Sequence, residues 1–191
     1  MTARLVVLAS GSGTLLQSLM DACSDGRLDA EVVAVGSDVP GCTALERAKV
    51  AGIPGFACSP GDFASRDLWN DALTQAVRDL TPDWVVSAGF MRVLGPTFVD
   101  AFRGRIINTH PALLPAFPGA HAVRDALAYG VKVTGCTVHV VDHGVDTGPI
   151  LAQRAVVVRD DDGEDSLHER IKTEERALLI DTVENLIGES A

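Results

Sequence analysis

Two parts of the chain carry side chains that could act together on a carbonyl group. The first is Asn108-Thr109-His110, in which an amide and an imidazole stand two positions apart. In an extended segment both would face the same side. Donors fixed before a reaction stabilise a developing oxyanion, each by about 2.7–4 kcal/mol where single donors have been deleted. An Asn that caps a turn beside an unrelated His is the alternative, and the sequence is compatible with both.

Asp146 is the second candidate, and it lies between Gly144 and Gly148 in a polar loop. An Asp close to Gly is commonly a solvated turn residue. If its carboxylate instead points towards His110, the negative charge favours the protonated imidazole. Only the folded chain can show whether these two side chains meet.

A glycine-rich turn, Gly11-Ser12-Gly13-Thr14, follows the first predicted strand and opens a helix. Its free N–H groups and the positive end of the helix dipole would suit a phosphate. A dinucleotide fingerprint would need a third Gly where this chain has Leu16, and the lysine of a P-loop is missing. A tight turn that uses Gly only for its backbone geometry is equally compatible with this tetrapeptide.

Histidine and cysteine spacing does not indicate a metal site. His139 and His143 are four positions apart, but we expect them at a strand end and in a loop, where a helical spacing has no meaning. We therefore predict no metal, and we assign His121 and His168 to the surface or to packing. The four cysteines are scattered, which is typical of small buried side chains in a reducing compartment.

These candidates need a scaffold, and the order of elements predicts one. Short β-branched runs alternate with amphipathic segments, which indicates a single α/β domain over residues 1–191, with a mostly parallel twisted sheet and helices on both faces. Predicted strands cover residues 5–9, 32–35, 84–88 and 106–107, with two long antiparallel strands late in the chain, at 131–141 and 150–158. Predicted helices include 15–23, 44–51, 66–80, 97–102 and 166–187, and Leu68 is expected on the apolar face of the third.

Charge and hydropathy restrict the partners. A formal net charge of −10 repels a polyphosphate backbone, so we predict no nucleic-acid partner, although a small anionic ligand remains compatible. No apolar run approaches the roughly 20 residues of a membrane span, so we predict a cytoplasmic protein that acts on small molecules. A homodimer is compatible with the sequence, which does not reveal the oligomeric state.

Four segments together resemble one known family. They are Val-Leu-Ala-Ser-Gly-Ser-Gly (7–13), Ser-Ala-Gly-Phe-Met-Arg-Val-Leu (87–94), Asn-Thr-His-Pro-Ala-Leu-Leu-Pro (108–115) and Asp-Thr-Gly-Pro (146–149). Their order and spacing are similar to those of the glycinamide ribonucleotide formyltransferase family, the folate-dependent enzymes of purine synthesis. The resemblance covers nearly the whole chain.

The resemblance implies transfer of a formyl group from 10-formyltetrahydrofolate to the amine of glycinamide ribonucleotide, without metal or covalent intermediate. It implies that Asn108 and His110 stabilise the oxyanion and that Asp146 keeps His110 protonated. The implied ribonucleotide contacts are Gly13, Thr14, Leu15, Lys172, Thr173, Glu174 and Glu175. The implied folate contacts are Arg66, Met91, Arg92, Val93, Leu94, Asn108, Val141, Asp142, His143, Gly144, Val145 and Asp146.

The resemblance leads to a specific expectation at two positions. The family often has Asn where this chain has Leu15, so only the backbone is expected to contact a ligand there, and the family's cis bond would fall before Pro115.

A formyltetrahydrofolate hydrolase or a methionyl-tRNA formyltransferase would share the core, but each carries an extra domain that we do not expect in this chain. The rival from another class is a non-catalytic nucleotide-binding module.

Overall fold

Side chains of the first strand alternate between two hydrophobic cores, and this alternation explains the architecture. In the computed structural model, which describes residues 2–189, strand β1 (Ala3–Leu8) directs Leu5 and Val7 into one core and Val6 and Leu8 into the other. All four side chains are fully buried. A strand that is buried on both sides must have helices on both faces of its sheet.

In the part of the chain that the structure describes, seven strands form one mixed sheet in the order β3-β2-β1-β4-β5-β6-β7. The first five run parallel, β6 is antiparallel to β5, and β7 is antiparallel to β6. This arrangement confirms the predicted fold class. The remaining strands are β2 (Ala30–Ser37), β3 (Gly55–Ala57), β4 (Trp84–Ser87), β5 (Ile106–His110), β6 (Val133–Val140) and β7 (Ile150–Val157).

Within residues 2–189, six α-helices cover the two faces of the sheet. Helices α1 (Thr14–Ser24), α2 (Thr43–Val50), α5 (Ala122–Tyr129) and α6 (Glu164–Glu189) bury apolar side chains in the core that receives Leu5. Helices α3 (Arg66–Arg78) and α4 (Pro96–Ala101) pack on the opposite face, where Trp69 and Phe98 are fully buried. One turn of 3-10 helix, Pro60–Asp62, precedes α3.

The structure corrects the sequence prediction in three elements. Strand β3 was not predicted, because three residues at a sheet edge give too short an apolar pattern. Strand β5 continues to His110, so the polar residues lie within the strand rather than after it. Leu68, which was predicted on the apolar face of α3, is 53% exposed, whereas the polar Asn70 of the same helix is buried. Asn70 is tolerated there because its Oδ1 accepts a hydrogen bond from the Gly95 N–H at 2.9 Å.

The four cysteines are free thiols, and Cys58 and Cys136 are buried. Burial raises the pKa of Cys136 to about 12 and that of Cys23 to about 11, which keeps both thiols protonated and inert at neutral pH. Among residues 2–189, no helix combines the length and the apolar character that crossing a membrane requires.

Strand order determines where a ligand can bind. From β1 the chain moves outward to β2 and β3, and it then returns to the other side of β1 for β4 and β5. The crevice outside the carboxyl ends of β1 and β4 is therefore the point where open α/β sheets bind ligands.

The loop after β5 is held by the hydroxyl group of Thr137, a fully buried residue of β6. Thr137 Oγ1 donates to Ala112 O at 2.7 Å and accepts from Leu114 N at 3.0 Å. The bond between Leu114 and Pro115 is cis, as predicted. This side chain therefore ties the Pro-rich loop to the neighbouring strand.

We expect Thr137→Val to lower the free energy of unfolding by about 2–4 kcal/mol, because a buried donor and a buried acceptor lose their partner. Thr182→Val is the matched control: its buried hydroxyl donates only to Leu178 O, one helical turn away, and its loss should cost less than about 1 kcal/mol. Urea denaturation of both variants measures the difference. Equal losses would show that Thr137 does not anchor the loop.

Candidate active site

A cavity of about 560 Å³ opens at the carboxyl ends of β1, β4 and β5, a volume typical of small-molecule sites. Its walls come from six parts of the chain: the glycine-rich turn, the segment after β4, the end of β5, residues 119–120 in the loop after β5, the end of β6 with the loop that follows it, and one face of α6. The lining residues include Gly11, Gly13, Met91, Asn108, His110, Asp146 and Glu175.

Asn108 and His110 both line this cavity from β5. They stand two residues apart in an extended strand, so their side chains project on the same side. His110 is buried, and Asn108 is partly buried. The expectation that the amide and the imidazole point at one space therefore agrees with the structure.

Asp146 reaches the same point from the loop between β6 and β7. Its Oδ2 atom lies 3.3 Å from His110 Nδ1, and its side chain is largely buried. The Gly119 N–H donates to the same oxygen at 2.8 Å. The carboxylate thus points inward to the imidazole, and the alternative of a solvated turn residue is excluded.

Both ring nitrogens of His110 face groups that only accept hydrogen bonds. Nε2 lies 2.8 Å from the Phe117 carbonyl oxygen, and Nδ1 faces the Asp146 carboxylate. A neutral imidazole carries one N–H donor, whereas the protonated ring carries two. The protonated ring can therefore direct an N–H at each of the two acceptors.

His139 belongs to this cluster, although the sequence analysis did not assign it there. It stands directly opposite Asn108 in the β5–β6 register, with Nε2 3.2 Å from Asn108 Nδ2 and 3.6 Å from Asp146 Oδ1. His139 is buried. Its polar side chain within an apolar run, Thr137-Val138-His139-Val140, was the available signal, but only the strand register identifies its partner.

Asp146 is ionised at neutral pH. Its pKa is held below the usual value by the His139 imidazole above all, and also by the Gly119 N–H and the charge of His110. Burial acts in the opposite direction, and it is outweighed. The carboxylate therefore provides a fixed negative charge at the imidazole ring.

The loop that carries Asp146 is shaped by its own polar contacts and by close packing. Asp142 Oδ1 accepts from the Gly144 N–H at 3.0 Å and from Thr147 Oγ1 at 2.7 Å. A Cβ atom on Gly148 would lie 1.8 Å from the Val140 carbonyl oxygen, so only glycine fits there. Asp146 itself has a positive φ of 56°, a conformation that Asp tolerates better than most residues.

The glycine-rich turn forms the opposite wall. Gly13 is the N-cap of α1 with φ of 68°, and a Cβ atom there would lie 2.8 Å from Ala44 Cα. The Ala44 N–H donates to Gly11 O at 3.0 Å, and Arg47 Nε donates to Ser12 O at 2.8 Å. Helix α2 therefore fixes the turn with its backbone directed at the cavity.

Leu15 and the predicted contacts on α6 differ in how they face the cavity. The Leu15 side chain belongs to the hydrophobic core, so it offers a ligand no polar contact. On α6, Lys172 and Glu175 line the cavity, but Thr173 and Glu174 do not. A helix turns by about 100° per residue, so these two lie on the outer face, where Glu174 pairs with Arg154 at 3.4 Å. His168, one turn before Lys172, lines the cavity instead.

Glu175 is a buried carboxyl group at the inner end of the cavity. Burial raises its pKa, and the Thr109 hydroxyl opposes this effect. Glu175 lies on α6, and its carboxyl group lines the same cavity as Asn108 and His110. The Asp146 and Glu175 carboxyl groups thus lie in different environments, which lower the pKa of the first and raise the pKa of the second.

The predicted folate contacts divide into two groups. Residues 91–94 and most of the loop from Val141 to Asp146 line the cavity, as expected. Arg66 and His143 do not. The Arg66 guanidinium donates to Val93 O from outside the cavity, and His143 Nε2 lies 3.2 Å from Asp100 Oδ1 on α4. Both side chains point away from the cavity, because the polar groups that they contact lie on the surface.

Within the part of the chain that the structure describes, no group of three or more His, Cys, Asp or Glu side chains is arranged to hold a metal ion. The Asn108 amide, the His110 imidazole and the Asp146 carboxylate are among the polar groups that line the cavity.

Several known proteins to which this chain is similar are named for formyl transfer. A family model described as "Formyl transferase" matches residues 3–183. Phosphoribosylglycinamide formyltransferase of Mycobacterium tuberculosis is 61% identical over 181 residues, which cover 95% of this chain and 83% of that protein. The enzyme of the same name from Escherichia coli is 41% identical over 174 residues, 91% of this chain and 82% of that protein.

A solved structure of a protein with the same name has the same fold as this chain. The crystal structure of phosphoribosylglycinamide formyltransferase from Bacillus halodurans superimposes with a TM-score of 0.95 at 41% identity, covering 98% of this chain and 97% of that one. The family match, the relatives and the fold lead to one assignment: this chain belongs to the formyl transferase family.

Proposed function

We propose that this protein transfers the formyl group of 10-formyltetrahydrofolate to the amine of glycinamide ribonucleotide, yielding formylglycinamide ribonucleotide and tetrahydrofolate in purine biosynthesis. The observation that carries the proposal is the Asp146–His110 contact of 3.3 Å beside Asn108, in a cavity that continues to the glycine-rich turn. The relatives named phosphoribosylglycinamide formyltransferase support the choice of substrates.

Each substrate has a region of the cavity that suits its chemistry. The ribonucleotide phosphate would lie at the N-terminus of α1, where backbone N–H groups at residues 13–15 and the Lys172 ammonium line the cavity and would bind an anion. Glu175 would accept a hydrogen bond from the substrate amine. The folate would lie against residues 91–94 and the loop that ends at Asp146, which bring its formyl group to Asn108.

The reaction begins when the amine nitrogen attacks the formyl carbon, and negative charge develops on the formyl oxygen. Asn108 Nδ2 carries two hydrogens, and one of them would donate to this oxygen. The His110 Nε2–H is the second donor, and the substrate oxygen would take the place of the Phe117 carbonyl. Asp146 stabilises the imidazolium that makes this contact.

A proton must then pass from the attacking nitrogen to the folate nitrogen before the carbon–nitrogen bond to folate breaks. A water molecule beside the ionised Asp146 would relay it. Holding both substrates in one cavity makes the attack nearly intramolecular, an effect that can contribute on the order of 7–11 kcal/mol when alignment is good. Neither step requires a metal or a covalent intermediate.

The remaining predictions about the protein's setting stay as predictions. They are a cytoplasmic location, small-molecule substrates without a nucleic-acid partner, a homodimer as the candidate assembly, and a catalytic domain that extends over residues 1–191, of which 1, 190 and 191 lie outside the described residues.

A direct assay tests the proposed function and its rivals. The protein is mixed with 10-formyltetrahydrofolate, with and without glycinamide ribonucleotide, and formylated ribonucleotide and tetrahydrofolate are measured. Formation of both products only when the ribonucleotide is present supports the proposal. Tetrahydrofolate and formate without ribonucleotide indicate a hydrolase, and no turnover at all indicates a binding module.

We expect Asp146→Asn to fold normally while kcat falls by roughly 10²–10⁴, because the amide cannot supply the negative charge that stabilises imidazolium. Asp160→Asn is the matched control, since this carboxylate is fully solvated and pairs only with Lys132. Circular dichroism and steady-state kinetics of both variants check the expectation. Near-normal turnover of Asp146→Asn would remove this carboxylate from the mechanism.

Gly13→Ala should raise KM for the ribonucleotide by at least about tenfold, because the new methyl group meets the Ala44 backbone and displaces the turn. Gly26→Ala is the control: Gly26 also has a positive φ, 79°, but no atom lies within 4 Å of its added Cβ. Backbone strain alone would affect both variants similarly. If Gly13→Ala binds the ribonucleotide normally, the phosphate lies elsewhere.

A further inference from the structure

Asp38 is a buried carboxylate that the proposed reaction does not use. It follows the end of β2, and its side chain is 1% exposed. Both of its oxygens are occupied: Oδ1 accepts from Ser10 Oγ at 2.5 Å, and Oδ2 accepts from Arg92 Nε at 2.7 Å. A charge so deeply buried persists only where it is paired and hydrogen-bonded, so these contacts are specific.

Ser10 extends the contact to the backbone of the segment after β4. Its Oγ atom accepts a hydrogen bond from the Met91 N–H at 2.8 Å while it donates to Asp38. The Ser10 N–H donates to Gly89 O at 3.1 Å. Ser10, Asp38 and Arg92 therefore join the ends of β1 and β2 to residues 89–92, and we call these three residues the Asp38 cluster.

Residues 91–94 have few other anchors. Met91 is 76% exposed and Val93 is also exposed, so among these side chains only Leu94 packs in the core. From outside the cavity, Arg66 holds the Val93 carbonyl. A segment with so little apolar burial takes its position mainly from its polar contacts. The Asp38 cluster supplies these contacts on the cavity side.

We infer that Asp38 is a positioning residue for the formyl donor: through Ser10 Oγ and the Arg92 guanidinium it holds residues 91–94 in the conformation that receives the folate. This inference rests on the proposed function for the identity of the donor. The inference also gives Arg92 a positioning role, because its Nε donates to Asp38 and is therefore not available to a ligand.

The effect should be selective for the donor. The glycine-rich turn has separate anchors in α2, from Ala44 N–H to Gly11 O and from Arg47 Nε to Ser12 O. The Asp146–His110 contact is made by β5 and by the loop before β7, and neither includes a member of the Asp38 cluster. Loss of the Asp38 charge therefore leaves the phosphate region and the reaction centre in place.

The test is Asp38→Asn, which keeps the shape of the side chain and removes its charge. KM for 10-formyltetrahydrofolate should rise by about tenfold, the effect of losing a hydrogen bond to a charged group, while kcat and KM for the ribonucleotide stay within about twofold. Glu31→Gln is the matched control. It removes the Arg4–Glu31 ion pair of 3.0 Å at the opposite ends of the same two strands.

Further variants separate positioning from general stability. Ser10→Ala removes the link to the Met91 N–H while Asp38 keeps its contact with Arg92, and it should also raise the donor KM. Arg92→Gln should add little to the donor KM of Asp38→Asn, because both changes break the same contact. Unchanged donor KM in Asp38→Asn and Ser10→Ala, or a parallel loss of kcat, both KM values and thermal stability, would overturn the inference.

Amide hydrogen exchange provides a readout that does not depend on turnover. The Met91 N–H should exchange faster in Asp38→Asn than in the unsubstituted protein, and Glu31→Gln should leave it unchanged. If the unsubstituted protein transfers no formyl group, the proposed function fails, and exchange at Met91 still decides whether Asp38 holds the segment. Unchanged exchange overturns the inference even if formyl transfer is observed.

Discussion

The site depends on one interaction, a largely buried carboxylate held against an imidazole. Taking the Asp146 charge out of water is unfavourable, so the fold must surround it with donors and positive charge. The Gly119 N–H, His139 and His110 provide these from three different parts of the chain. The same partners lower the pKa of Asp146.

That interaction in turn requires the late antiparallel strands. Asp146 follows β6, and β6 pairs with β5 in a register that sets His139 opposite Asn108. A shift of one residue would move every side chain of β6 to the other face. Buried Thr137, two residues before His139, fixes the loop after His110 by hydrogen bonds to its backbone. The register of one strand pair thus aligns four polar side chains.

Close packing of backbone against backbone determines the other half of the site. Gly13 approaches Ala44 so closely that no side chain fits, and Gly148 approaches the Val140 carbonyl in the same way. The glycines therefore act by excluding a Cβ atom as much as by their conformational freedom. Together with the Asp38 cluster, these contacts tie the ends of neighbouring strands into one rigid rim around the cavity.

Sequence alone determined the α/β fold, the extended pairing of Asn108 with His110, and the glycine turn at the start of α1, because each depends on local periodicity or on adjacent residues. The tertiary structure decided which distant residues meet. It brought Asp146, His139 and His168 to the cavity, and it turned Thr173, Glu174, Arg66 and His143 away from it. Neighbours in sequence point in different directions on a helix or in a loop, and contacts across a sheet depend on strand order and register, which no local pattern encodes.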